Sequence, residues 1–126
     1  MKNRQDPRHK KRVFYFQELF AYSFGNYSTK SQTVPSIIKN LSQIDEQIQQ
    51  VAPEWPIERL NKVDLAILRL AIWELIIEAK NPPKVIIDEA VELGKEYGSD
   101  NTPKFVNGVL GTILEQHQIK KADLKS

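Results

Sequence analysis

The stretch Asn61–Glu78 reads NKVDLAILRLAIWELIIE. Between Val63 and Ile77 only Asp64, Arg69 and Glu74 are not apolar. They recur at steps of five residues, so on a helix they point in different directions and leave no wide polar face. A helix that is apolar nearly all round is buried among other helices or lies in a membrane. A membrane span needs about 20 apolar residues with few charges, and this run is shorter and carries charges. It reads as the central helix of a soluble bundle. Asn61 is placed to cap it, with Asp64 as the acidic partner of a capping box. Asp64 has a second reading, as a partner contact at an exposed helix start. Arg69 and Glu74 pair with other helices or reach solvent, because a charge on an apolar helix cannot stay buried alone.

Downstream, Asn81-Pro82-Pro83 stops the central helix, and Pro83 suits the first position of the next one. That helix runs to about Tyr97, with Ile86, Ala90, Leu93 and Tyr97 on one face and Gly98 placed to end it. The last helix starts at Pro103 with Thr102 as its cap. Its core stripe is Val106, Val109, Leu110, Ile113 and Leu114. Glycine inside a helix costs about 1 kcal/mol, so Gly108 and Gly111 hint at close helix approach or ligand contact. Residues 118–126 read as a flexible tail.

Upstream, a helix runs from near Lys10 to about Phe24, its core stripe formed by Val13, Phe16 or Gln17, Phe20 and Phe24. Seven of the chain's eleven aromatics fall between Phe14 and Tyr27, more than one stripe can hold. Tyr15, Leu19 and Tyr22 lie on another face. Either both faces pack in a bundle, or one aromatic near the basic terminus stacks on an unpaired base. Gly25–Ser31 is a loop. A helix over about 35–51 carries the stripe Ile37 or Ile38, Leu41, Ile44 or Asp45, and Ile48, and Ala52–Pro56 (APEWP) breaks it. Ile57–Leu60 allows one short helical turn. The fold class is all-α, a single domain over 1–126 with about five to six helices.

The net charge of +2 hides an asymmetry. Residues 1–12 carry six basic side chains against Asp6, and the remainder is net acidic. Residues 1–9 read as a flexible basic arm. Such an arm on an acidic body points to a polyanion partner, or is simply a solvated terminus. The chain has no cysteine, which excludes thiolate chemistry and fits a reducing cytoplasm. The N-terminus lacks the apolar core of a signal peptide. His9 and His117 have no metal-ligand spacing. Asp88 and Glu92 share a helix face but read as a solvated pair. No catalytic constellation, cofactor motif or metal site emerges.

Three runs together resemble one family: RLNKVDLAILRLAIWEL (Arg59–Leu75), PPKVIIDEAVELGKEYG (Pro82–Gly98) and SDNTPKFVNGVLGTILE (Ser99–Glu115). They are similar in sequence and spacing to bacterial NusB-type antitermination factors. The run RHKKRVFYFQELF (Arg8–Phe20) resembles that family's arginine-rich arm and first helix. The resemblance implies an all-helical NusB fold, here with a shortened front half, and no catalysis. It implies binding of boxA-type RNA together with ribosomal protein S10 (NusE), and indirect association with RNA polymerase and other Nus factors. By the same resemblance the RNA contacts are Arg8, His9, Lys10, Lys11 and Arg12 in the arm, Phe20 where the family usually has tyrosine, and Asn101, Thr102, Lys104 and Phe105 at the last helix. The S10 contacts are Glu58, Arg59 and Asp64. Asp88 and Trp73 stand where asparagine and tyrosine are usual. Family members are monomers or dimers.

Two other functions compete. One is an interaction module of the same fold that has lost RNA binding. The other is the RNA-binding domain of an rRNA methyltransferase, which requires the chain to be a fragment; Met1 and the charged tail favour a complete small protein.

Overall fold

The structure is a computed structural model that describes residues 6–26 and 28–125, with side chains through Gln118. Six α-helices follow in order: α1 (Pro7–Tyr22), α2 (Thr33–Lys39), α3 (Leu41–Val51), α4 (Lys62–Ile72), α5 (Pro83–Tyr97) and α6 (Thr102–Lys125). A 3-10 turn, Ile57–Arg59, leads into α4, and a π-helical segment, Trp73–Glu78, extends it. No strand occurs among the described residues.

The central position of α4 follows from its composition. Every residue from Leu65 to Leu75 is buried, the charged Arg69 and Glu74 included. Helices α1, α3, α5 and α6 pack around it, and α5 lies along α6. One cluster of buried side chains joins all six helices, each buried Leu or Ile contributing roughly 1.5–3 kcal/mol. As the sequence demands, the two buried charges of α4 and its π-helical extension, Arg69 and Glu74, are paired. Arg69 donates from Nε and Nη2 to Asp45 Oδ1 and Oδ2 on α3, at 3.0 and 2.9 Å, and Glu74 receives Arg12 of α1. Asn61 caps α4 as expected, its Oδ1 accepting from the Val63 and Asp64 amides.

The front of the chain departs from the expectation in three ways. Helix α1 begins at Pro7, inside the stretch expected to be a flexible arm. Proline at the first position and Asp6 Oδ1, accepting from the Arg8 amide at 2.8 Å, start it there. Its buried stripe is His9, Arg12, Phe16 and Leu19. Val13 and Phe20 only flank this stripe, and Phe24 lies beyond the helix end, 59% exposed. The single helix expected over 35–51 is two, parted at Asn40. Lys2 and Arg4 of the arm, and Tyr27, lie outside the described residues.

At the other end, α6 continues to Lys125, through the residues expected to be a tail. The buried stripes of α5 and α6 are otherwise those expected, except that Tyr97 is 40% exposed and Leu114 partly buried. The glycine pair of α6 marks no close approach. Both glycines are exposed, and a Cβ at either would meet nothing within 4 Å. Close approach occurs instead at Gly98, where a Cβ would sit 2.5 Å from the Thr102 side chain.

Candidate nucleic-acid interface

Apart from Phe20, the expected functional residues gather at the two ends of α4 and its π-helical extension. Asp64 and Glu74 are ten residues apart, so these ends are separated by about 15 Å along the helix axis.

At the C-terminal end, α1 divides the basic arm between core and solvent. Arg12 Nε and Nη2 donate to Glu74 Oε2 and Oε1, each at 2.9 Å, and Nη1 donates to Glu89 Oε1 on α5 at 3.3 Å. Burial opposes the guanidinium charge, but hydrogen bonds and charges from Glu74 and Glu89 outweigh it and raise the Arg12 pKa. His9 lies between two α5 carboxylates, Nδ1 at 3.2 Å from Glu89 and Nε2 at 2.8 Å from Glu96. Of the five arm contacts expected for RNA, His9 and Arg12 therefore hold α1 onto the bundle. Arg8, Lys10 and Lys11 face solvent. Arg8 bends back to Asp6 at 3.1 Å, and its hydrogen bonds hold the Asp6 carboxyl below its usual range.

Beside this arm is a cleft of about 270 Å³ between α1, the π-helical segment and the turn before α5. A π turn is wider than an α turn and is frequent at functional sites. Here Ala79 closes it, its amide donating to Glu74 O at 2.9 Å with a left-handed φ of 53°. Trp73, Glu74 and Glu78 of this segment line the cleft. Burial first, then the neighbouring Glu74 charge, raises the Glu78 pKa.

At the N-terminal end of α4, Thr102 is buried. Its Oγ1 accepts from the Ser99 amide at 3.0 Å and donates to Asp64 Oδ1 at 2.7 Å. It is the first residue of α6 rather than the cap expected before it: its hydroxyl takes the upstream Ser99 amide and ties the start of α6 to α4. Around it Arg59, Asp64, Asn101 and Phe105 line one hollow of about 250 Å³ with Trp55. Trp55, Asn101 and Phe105 also border a more open groove of about 530 Å³ containing Lys104 and Gly108. Residues expected separately for RNA and for S10 thus line one surface. Glu58 is exposed on the preceding 3-10 turn. Phe20 sits elsewhere, between Phe16 and Phe24 with ring centroids 6.3 and 5.0 Å away.

Trp55, 51% exposed, lines both hollows although it is not among the residues expected from the sequence. Its signal was available: a tryptophan between Pro53 and Pro56, in a segment that cannot continue a helix, has little chance of joining a helical core stripe.

Comparison with known proteins gives a consistent picture. The model of the NusB family matches residues 26–115. A transcription antitermination protein NusB from a Roseiflexus species is 48% identical over 85 residues, 66% of this chain and 60% of the relative. The chain thus spans about three fifths of the length of the curated relatives it matches. The crystal structure of Thermotoga maritima NusB superposes with a TM-score of 0.77 at 36% identity, covering 91% of this chain and 93% of that one. A chain from a crystal structure of the antitermination factors NusB and NusE in complex with double-stranded RNA shares the fold, with a TM-score of 0.70 at 24% identity, covering 87% of this chain and 98% of that one.

Proposed function

The chain belongs to the NusB family, and on that premise we propose that it is a transcription antitermination factor. It binds boxA-type single-stranded RNA together with ribosomal protein S10 (NusE) in the cytoplasm, favouring transcription of ribosomal RNA operons. It acts by binding, without catalysis or cofactor, and meets RNA polymerase and other Nus factors through that assembly. The observation that carries this reading is the disposition of exposed groups about α4. Exposed cations Arg8, Lys10 and Lys11 lie at one end. At the other, Arg59, Asp64, Asn101 and Phe105 share a hollow. Cations neutralise phosphates, and a partly exposed aromatic offers a face to an unpaired base. The antitermination name of the relatives and the solved NusB–NusE–RNA complex support the same assignment. Within it, His9, Arg12 and Thr102 support the RNA surface from behind.

The test is binding of a boxA-like single strand, and of a duplex of the same sequence, with and without S10 at two salt concentrations. Affinity for the single strand falls steeply with salt and rises with S10. The double variant Lys10→Ala with Lys11→Ala lowers the salt slope by about 0.7 for every phosphate it no longer neutralises. S10 binding with no RNA binding in any condition establishes the interaction module instead.

A further inference from the structure

We propose that the cleft between α1 and the π-helical segment is a nucleotide pocket, which takes one unpaired base of the bound RNA while the flanking phosphate lies against Lys11 and Lys80. The inference deepens the RNA-binding reading and rests on it. Trp73 forms part of the wall. It is only 8% exposed, and its indole N–H finds no acceptor among the described residues. The indole nitrogen is itself closed to solvent, and a buried donor left unmade costs about 1–3 kcal/mol, so a base seated against the Trp73 wall recovers that cost once the N–H turns toward it. Base carbonyls and ring nitrogens are acceptors of this kind, presented on a flat ring.

The remaining lining fits the same ligand. Leu70 and Tyr15 supply apolar surface, and the Asn81 amide offers both a donor and an acceptor. Glu78, whose carboxyl is pushed toward its protonated form by burial and Glu74, adds a further edge partner. Arg12 is already held by Glu74 and Arg8 is paired with Asp6, which leaves Lys11 and Lys80, both exposed, as the lining cations with no carboxylate partner among the described residues for phosphate to displace. The volume of about 270 Å³ lies just below the roughly 300–1,000 Å³ of pockets that enclose drug-sized ligands. It suits one base rather than a dinucleotide cofactor.

Two titrations decide the matter. In the Trp55→Phe protein Trp73 is the sole tryptophan, so its fluorescence reports on the cleft. The four 5′-mononucleotides should quench it saturably, at least one well below the concentration of inorganic phosphate that does so, and Lys80→Ala should weaken that binding about fivefold. In the boxA-like RNA, an abasic residue at one position should reduce affinity for the wild-type protein about fivefold, the loss of one hydrogen bond. The penalty should vanish in Trp73→Phe, which keeps the ring and removes the N–H. Should that variant fail to fold, Lys80→Ala and the abasic series still decide. Quenching by mononucleotides with a flat abasic series upholds the pocket chemistry but overturns RNA as its source. Phosphate equal to the nucleotides, or no quenching and a flat series, overturns the pocket. Absence of RNA binding altogether defeats the antitermination reading, while the mononucleotide titration still judges the cleft.

Discussion

Asp64 Oδ1 on α4 accepts a 2.7 Å hydrogen bond from Thr102 Oγ1 at the start of α6. The bond spans 38 residues of sequence and joins two helix N-termini that carry expected binding residues. It gives Asp64 a structural task besides any contact with S10.

The two tasks separate by substitution. Asp64→Asn keeps an acceptor for Thr102 and removes the charge, so urea unfolding should change by less than about 0.5 kcal/mol. Asp64→Leu removes the acceptor from a buried hydroxyl and should cost about 1–3 kcal/mol. If S10 recognises the carboxylate, both variants lose affinity; S10 binding unchanged in Asp64→Asn would remove the charge from the interface.

Gly98 faces the same Thr102. A Cβ there would lie 2.5 Å from that side chain, which is itself held by Ser99 and Asp64. Gly98→Ala should destabilise by about 1–3 kcal/mol through overpacking, read as a lower urea midpoint. A neutral result would mean that the α5–α6 connection relaxes freely.

Arg12 is the second fixed point. Arg12→Ala leaves Glu74 and Glu89 buried without their main cation, and should cost about 3–5 kcal/mol. Arg12→Lys keeps charge but loses the two-pronged grip on Glu74 and should fall between. Loss of RNA affinity in a fully folded Arg12→Ala protein would show instead that this guanidinium reaches the ligand.

Glu18 fixes the loop between α1 and α2, accepting from Thr29 Oγ1 at 2.6 Å, Ser31 Oγ at 2.9 Å and the Lys30 amide at 2.8 Å. Burial tends to raise its pKa, but these hydrogen bonds outweigh burial and lower it. A carboxylate with a lowered folded pKa contributes stability above its unfolded pKa of about 4.3 and loses it as pH falls through the folded value. Glu18→Gln should therefore be less stable than wild type at pH 7, and the difference should shrink below about pH 4. A gap that stays constant with pH would assign the loop's order to other contacts.

Ala79 occupies the left-handed region at φ 53°, where a Cβ is strained. Ala79→Gly should stabilise by about 0.5–1 kcal/mol, net of the entropy glycine adds to the unfolded chain, visible as a higher Tm. A destabilised variant would show that the π turn closes without strain.

The sequence by itself determined the all-helical class, the central place of α4, the need to pair Arg69 and Glu74, and the stripes of α5 and α6. Those follow from local periodicity and from the cost of burying charge, which act within one helix. The tertiary structure decided which cations of the arm remain available. Helical spacing puts His9 and Arg12 on the face of Phe16 and Leu19, but that this face is the buried one follows only from packing, which brings Glu74 of the π-helical extension and Glu89 and Glu96 of α5 against them. It also decided that Arg59, Asp64, Asn101 and Phe105 share a hollow with Trp55, and that Trp73 walls a cationic cleft. Both depend on the relative placement of helices distant in sequence. That placement is set by packing of the whole core, which no local pattern encodes.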